Sequence, residues 1–412
     1  MSASNETFDA ARAAIARVRD GEVAGDVETE TLDCKEDPTR RGPAGRLQPG
    51  AVQDDDAARY FADEAACMAN HEGGTLLVGL DDKGSGPGAF IGTDLDAAWL
   101  RHRIRDLTTP PLVVGVEELS EAGVRLLAVS VPRNPGPEPH VASVSKRGRR
   151  IARRIGTNCH EMVGMAELMS WARERSGYDW SAGPSDRPRG DGRAAAIDAL
   201  RDTLRESREP GRIELAEHDD DALLRRLQLL RDDGTLAQAG ALLTAPARSP
   251  RILYLNRQAV GAPSTHRIEQ AGRGLLEELR LVLDAIEARN RQITGAGEHA
   301  ARGVVRAIPR EAIREALVNA VMHRDWDRPE PITVDHVDDQ LIVFSPGEFF
   351  GGVTEQTVLT TASRTRNRRL GDVLRSLRLA EREGTGVDRM FVEMIRLGHP
   401  PPTFQQRDGG VR

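Results

Sequence analysis

Aromatic residues make up only 4% of the chain, and there are only three cysteines. Cys34, Cys67 and Cys159 are far apart, odd in number and form no CxxC pair. That pattern suggests neither a zinc site nor a disulfide framework, and Cys159-His160 reads as ordinary packing. No apolar run approaches the ~20 residues that cross a bilayer. The N-terminus lacks the basic-then-apolar pattern of a signal segment. These absences point to a cytoplasmic protein with no membrane partner. No GxxxxGK[ST] occurs, which excludes a P-loop ATPase at the motif level. His323-Arg324-Asp325-Trp326 invites a kinase reading, but Glu330 stands where the catalytic loop needs Asn, and there is no DFG.

What is present is length and charge. The 412 residues suffice for two or three domains at about 100–200 residues each. Ala, Arg, Gly and Asp are abundant, as in proteins of GC-rich bacterial genomes. Net charge is −7, which argues against a whole-surface nucleic-acid binder and leaves room for local basic patches.

The chain is organised around residues 308–326, IPREAIREALVNAVMHRDW, which read as one amphipathic helix. Pro309 suits a first turn. Ile313, Leu317, Ala320 and Val321 form the apolar stripe. Glu315, Asn319 and His323 share a neighbouring face at i, i+4, i+8. A polar row beside an apolar stripe is unusual for a plain surface helix, which more often carries Lys, Arg and Glu there.

Before it, residues 7–20 predict a helix, 27–37 a strand with one polar face, and 38–50 a mobile Pro/Gly/Arg-rich loop. A second helix over 54–71 ends at Asn70-His71-Glu72-Gly73-Gly74. Residues 75–80 are a buried strand, 95–107 a helix, and 112–117 with 124–131 a strand pair. The stretch 145–158 then holds Lys146, Arg147, Arg149, Arg150, Arg153 and Arg154. Such a cluster on a hairpin could neutralise several phosphates by counterion release. The competing reading is a solvated basic face paired with nearby acids.

ETETLDCKED, AACMANHEGGTLLVGLDDKG and RRIARRIGTNCHEM, in that order and spacing, resemble the Schlafen-type AlbA domain over roughly residues 25–165. That resemblance implies an α+β nucleic-acid-binding domain. In some animal members three acids form a metal-dependent RNase site. The matching positions are Glu28, Asp33 and one of Asp81 or Asp82, which would hold Mg²⁺ or Mn²⁺. Asp33 stands where Glu is usual.

Residues 177–192 read as a linker, and 193–250 as a helical middle layer. Within that layer 223–244 suggests a helix, a turn at Asp233-Gly234 and a second helix that lacks base-reading side chains. Residues 251–256 read as a strand, and 269–294 as a long helix. After the central helix, 332–344 predicts a β-hairpin turning at Asp338-Asp339. Ser363–Leu370 opens another helix, with Asn367 near its start. Gly384 and Gly386 precede a further helix and would let backbone amides approach a phosphate.

REALVNAVMHRDW, SPG, RNRRL and GTGVDRM together resemble the GHKL ATPase superfamily. More narrowly, they resemble the ATP-binding module that follows a Schlafen-type AlbA domain in RecG-like bacterial regulators. The resemblance implies an α/β sandwich in which Asn319 holds Mg²⁺ against ATP phosphates and Glu315 orients or deprotonates water. Gly384 and Gly386 would lie on the phosphates, with Arg366, Asn367 or His323 nearby. No Asp stands between Phe344 and Gly351, where the superfamily reads adenine.

The expected whole is a multi-domain α+β protein. An AlbA-type domain (1–176), a linker (177–192), a helical segment (193–250) and a GHKL-like domain (251–412) follow in order, the last ending at the start of a strand as in a truncated chain. The function expected is a nucleic-acid-binding regulator controlled by ATP with Mg²⁺, with a slow ATPase as its possible enzymatic side. The alternative is a metal-dependent endonuclease acting on structured RNA such as tRNA, in stress or phage defence. Expected partners are nucleic acid, DNA or RNA, and further copies of the chain in a homo-oligomer such as a dimer.

Overall fold

Asp54 starts the first long element. Its carboxylate accepts hydrogen bonds from the Asp56 and Ala57 amides, at 3.1 and 2.8 Å, and so satisfies donors left over at a helix start. Small residues follow at core spacing, and Gly73 and Gly74, both at positive φ, end the run. At Gly74 (φ +136°) a side chain would collide with the Thr31 carbonyl, so only glycine lets the next strand pass there.

In this computed structural model the described residues are 3–42, 45–145, 148–294, 304–360, 364–380, 386–407 and 409–412. They fall into two compact units, Met1–Gly177 and Tyr178–Arg412.

The first unit runs α1 (Ala3–Arg19), β1 (Leu32–Lys35), α2 (Asp55–Ala69), β2 (Gly74–Val78), α3 (Ala97–Leu107), β3 (Thr108–Thr109), β4 (Gly115–Glu121), β5 (Val124–Val131), β6 (Val141–Ala142), β7 (Arg150–Ile155), β8 (Asn158–Glu161) and α4 (Met165–Arg175). One sheet has the order β1-β2-β5-β4, with β1 and β2 parallel and the other neighbours antiparallel. Its two faces are covered by different helices. Leu76, Val78, Leu127 and Val129 pack with Phe61 and Met68 of α2 and Ile104 of α3. Leu77, Leu126 and Ala128 pack with Ala14 and Val18 of α1. Alternation along a strand buried on both sides produces this division. A second sheet, β3-β6-β7-β8, carries the basic stretch.

Two expectations are corrected in this unit. The 38–50 stretch is tied down where it is described: Asp37 caps a short turn at Pro38–Arg40, Arg40 pairs with Asp94 at 3.0 Å, and Gln48 donates to the Thr39 carbonyl. Cys67 and Cys159 form a disulfide that pins the β7–β8 hairpin to α2. Their 92-residue separation hid the pair, because only folding brings α2 beside β8.

The second unit runs β9 (Pro184–Pro188), α5 (Ala194–Glu206), α6 (Pro210–Ala216), α7 (Asp220–Arg226), β10 (Thr235–Ala237), α8 (Gln238–Thr244), β11 (Ile252–Arg257), β12 (His266–Ile268), α9 (Leu275–Glu287), β13 (Gln292–Thr294), β14 (Val304–Arg306), α10 (Arg310–His323), β15 (Ile332–Val337), β16 (Gln340–Pro346), α11 (Arg368–Ser376), α12 (Gly386–Arg396), β17 (Gln406–Arg407) and β18 (Gly410–Val411). Its main sheet has the order β12-β11-β15-β16-β18-β17, with β11 and β15 parallel. One apolar core spans α5, α7, α8, α9, α10, α11, β11 and β15, so the helical middle belongs to the same body as the C-terminal sheet. Residues 178–192 are structured: β9 pairs with β10, and Asp179 and Ser181 accept amide hydrogen bonds from Arg369 and Leu370 at the start of α11. The turn at Asp233-Gly234 leads into a strand before α8, because β9 offers Thr235–Ala237 a partner that local periodicity does not reveal. The long helix expected over 269–294 is shorter, spanning only Leu275–Glu287, and Gln292–Thr294 pairs instead with Val304–Arg306. Among the described residues no helix is long and apolar enough to cross a membrane.

Candidate nucleotide cleft and acidic cluster

The central helix is α10, and Pro309 precedes its first turn as the N-cap. Ile313, Leu317, Val318 and Val321 are buried in the core. Its C-terminal carbonyls would be orphans without outside donors. The sequence motifs supply them. Ser345 of SPG donates to the Ala320 carbonyl at 2.8 Å. Trp326 Nε1 donates to the Val321 carbonyl at 3.2 Å. Asn367 of RNRRL donates through Nδ2 to the carbonyls of Met322 and Arg324, at 3.0 and 2.8 Å. Gly347 lies at φ +108° against the backbone of Asp325, where a side chain would clash. Three short motifs are thus one joint that fixes the end of α10.

That joint positions a cleft of about 840 Å³ between α10, the end of β16, the 347–360 loop, α12 and residues 399–405. Asn319 and His323 line it, together with Asp388 and Arg364. Phe349, Phe350 and Phe404 give it an apolar wall. The volume lies in the range of small-molecule sites, about 300–1,000 Å³. Asn319 Nδ2 is buried and has no hydrogen-bond partner among the described residues. His323 is pushed down to about 4 by desolvation and then by the charge of Arg366, so it is a neutral imidazole at neutral pH. Arg366 donates to the Glu348 carbonyl at 3.0 Å and lies over the Phe350 ring.

The other expected nucleotide residues fare differently. Glu315 is 1% exposed and sits beneath Gly386, where a side chain would collide with its carboxylate and approach Asn319. Gly386 opens α12, and Gly384 lies outside the described residues. Asn367 is fully buried and holds the end of α10 rather than facing the cleft. The aromatic wall was not foreseen, since Phe349 and Phe404 are distant in sequence and share no motif.

In the first unit, Glu28 and Asp33 come together. Asp33, fully buried, accepts from Lys35 Nζ at 2.8 Å and Arg154 Nη2 at 3.2 Å. Glu28 accepts from the Cys34 amide at 3.0 Å. Desolvation, followed by the charge of Asp33, pushes Glu28 up to about 7. Glu64 of α2, not foreseen, joins this neighbourhood: desolvation raises it, Lys35 lowers it, and Asp33 raises it. Tyr60 is raised by desolvation and then by the field of Glu64, and Asp82 is tied into the first unit through its carbonyl, which accepts from the Gly25 amide at 2.7 Å. Asp81 is held elsewhere, paired with Arg41 at 2.9 Å. Among the described residues no three His, Cys, Asp or Glu side chains have a metal-holding arrangement. Both cations meet Asp33 at Oδ1, and its Oδ2 is buried without a hydrogen-bond partner among the described residues.

The basic stretch is also partly internal. Arg154 is fully buried and donates to the Thr29 and Leu32 carbonyls as well as to Asp33. It is therefore a core cation, not a surface contact. Alternation along β7 explains this, since Ala152 and Arg154 are its buried positions. Arg150 pairs with Asp63 at 2.7 Å, and Arg153 lies 3.7 Å from Glu174. Arg149 is exposed, and Lys146 and Arg147 lie outside the described residues.

Residues 28–163 match the family described as "Schlafen, AlbA_2". Residues 330–412 match that described as "Putative ATP-dependent DNA helicase recG C-terminal". The chain is 33% identical to the DIP2311 protein from Corynebacterium diphtheriae, whose crystal structure aligns over 99% of this chain and 79% of that one at a TM-score of 0.51. The chain belongs to the Schlafen AlbA_2 family, with a RecG-type C-terminal module. No curated protein matches it. For this family member, the cleft at α10 lies in the ATPase-like half, and the acid cluster and basic stretch lie in the AlbA_2 half.

Proposed function

We propose that the protein is a nucleic-acid-binding regulator whose C-terminal cleft holds a nucleotide, with ATP as the first candidate. The observation that carries this reading is the cleft floor: among the described residues, Asn319 Nδ2 is buried and without a partner beside the glycine that opens α12. The apolar wall suits a base, and the α10 end with His323 and Arg364 suits the phosphates. Asn319 would hold Mg²⁺ through its side-chain oxygen, and the metal would neutralise phosphate charge. The AlbA_2 half would bind nucleic acid through Arg149 and its neighbours Lys146 and Arg147, and assembly into a homo-oligomer is part of the same proposal. Nucleotide occupancy would shift nucleic-acid affinity, which requires unequal affinities in two states.

Titration with a fluorescent ATP analogue is expected to give saturable, Mg²⁺-dependent binding, weakened at least about tenfold, or ~1.4 kcal/mol, by Asn319→Ala. No binding by the wild-type chain would sink the nucleotide reading. An unchanged Kd for duplex DNA and for structured RNA, with and without saturating ATP, would sink the coupling.

A further inference from the structure

The second unit has another cavity, of about 370 Å³, lined by residues from β9, α8, the 246–251 turn and the segment Arg324–Pro329. Five arginines line it (Arg187, Arg248, Arg251, Arg324 and Arg328) against a single carboxylate, that of Asp186. This excess of cations lies in a chain of net charge −7.

Some of these cations have internal partners. Arg187 pairs with Asp191 at 3.0 Å, and Arg251 with Glu278 at 3.3 Å. Arg328 donates to the Gly409 carbonyl at 2.6 Å and stands 3.8 Å from Asp325. Arg248 is exposed and makes no side-chain hydrogen bond or ion pair among the described residues.

Arg324 is the informative one. It is 4% exposed, yet among the described residues no carboxylate pairs with it. Its Nη2 donates to the Arg328 and Glu330 carbonyls, at 2.7 and 2.6 Å. Its Cζ lies 4.3 Å from the centre of the Trp326 ring. Its Nε is buried without a partner among the described residues. Desolvation lowers it to about 10, so it stays charged at neutral pH. Asp325 and Glu330 lend it some favourable field, but neither closes an ion pair with it among the described residues, and an anion entering the cavity would offset the remaining cost of burying the charge. Guanidinium groups match phosphate oxygens in pairs, which a lone ammonium cannot do. Trp180 and Trp326, stacked at 6.2 Å with 17° between planes, stand on the same cavity and add a flat apolar wall.

We propose that this cavity is a phosphate-binding site separate from the nucleotide cleft, with Arg248 and Arg324 as its principal donors. The phosphate belongs either to a small phosphorylated molecule or to the backbone of a bound strand.

The test uses the full chain carrying Asn319→Ala, so that the cleft does not contribute. Pyrophosphate is titrated calorimetrically, and a labelled single strand by anisotropy, with and without Arg248→Glu and with Arg248→Lys as the conservative comparison. Pyrophosphate affinity at least tenfold lower in Arg248→Glu, and recovered only in part in Arg248→Lys, which keeps the charge but not the paired donors, supports the site with a free phosphate as its ligand. The same change confined to the strand supports the site with backbone phosphate as its ligand. Equal affinities in Arg248→Glu and its parent for both probes overturn the proposal, as does the absence of any binding of either probe. Each result leaves the nucleotide reading of the cleft to be judged separately, since that rests on the Asn319 comparison.

Discussion

Glu28 and Arg154 show how burial gives a charged residue its role. Both belong to motifs, and neither role follows from the motif. Arg154 looks like one cation of a surface cluster but is the counter-ion of Asp33 inside the unit. Glu28 titrates near 7 in the folded protein against 4.5 in an ordinary setting, so the folded state holds its proton more tightly. Its contribution to stability is complete below the lower value and is lost as pH rises through the upper one. Urea midpoints of the AlbA_2 half are therefore expected to fall more between about pH 5 and about pH 8 in wild type than in Glu28→Gln, where the step is absent. Equal slopes in the two proteins would show that Glu28 keeps an ordinary pKa.

At the scale of elements, the joint at the end of α10 matters most. Ser345, Trp326 and Asn367 come from three separate motifs and converge on the successive carbonyls of Ala320, Val321 and Met322. Removing Asn367 leaves two buried carbonyls without a donor. Asn367→Ala is expected to cost about 1–3 kcal/mol in the second unit and to weaken nucleotide binding indirectly, through His323 at the helix end. Thermal melts and the ATP-analogue titration check the two parts. Lost stability with unchanged nucleotide affinity would mean the cleft tolerates a loosened helix. Much of this level was readable in advance: α2 with its glycine stop, α10, and the β15–β16 hairpin turning at Asp338 (φ +51°) all stand where their patterns place them. The strand at Thr235–Ala237 was not, because its partner β9 lies some fifty residues earlier, in a stretch that composition alone marks as a linker.

For the whole molecule, the division into Met1–Gly177 and Tyr178–Arg412 predicts separable responses. The Cys67–Cys159 disulfide closes a 92-residue span within the first unit. Disulfides typically contribute about 2–4 kcal/mol, and long loops such as this one lie at the upper end. Cys67→Ser, or reduction of the wild type, is expected to lower the unfolding free energy of the AlbA_2 half by about that amount, read as a lower melting temperature, and leave the other half unchanged. A single transition shifted as a whole would show that the two units unfold together. Such bonds are rare in a reducing compartment, so the redox state in which the protein works decides whether this brace is present.

The sequence by itself determined the two-module order, the main helices and the placement of Asn319 and His323 on one helix face. Those features depend on local spacing, capping and glycine conformations, which a linear pattern records. Only the tertiary structure decided which charges face inward, that two distant cysteines meet, that Asn367 holds a helix end rather than a ligand, and that five arginines share one cavity. Those outcomes depend on which element packs against which, and on the desolvation that follows.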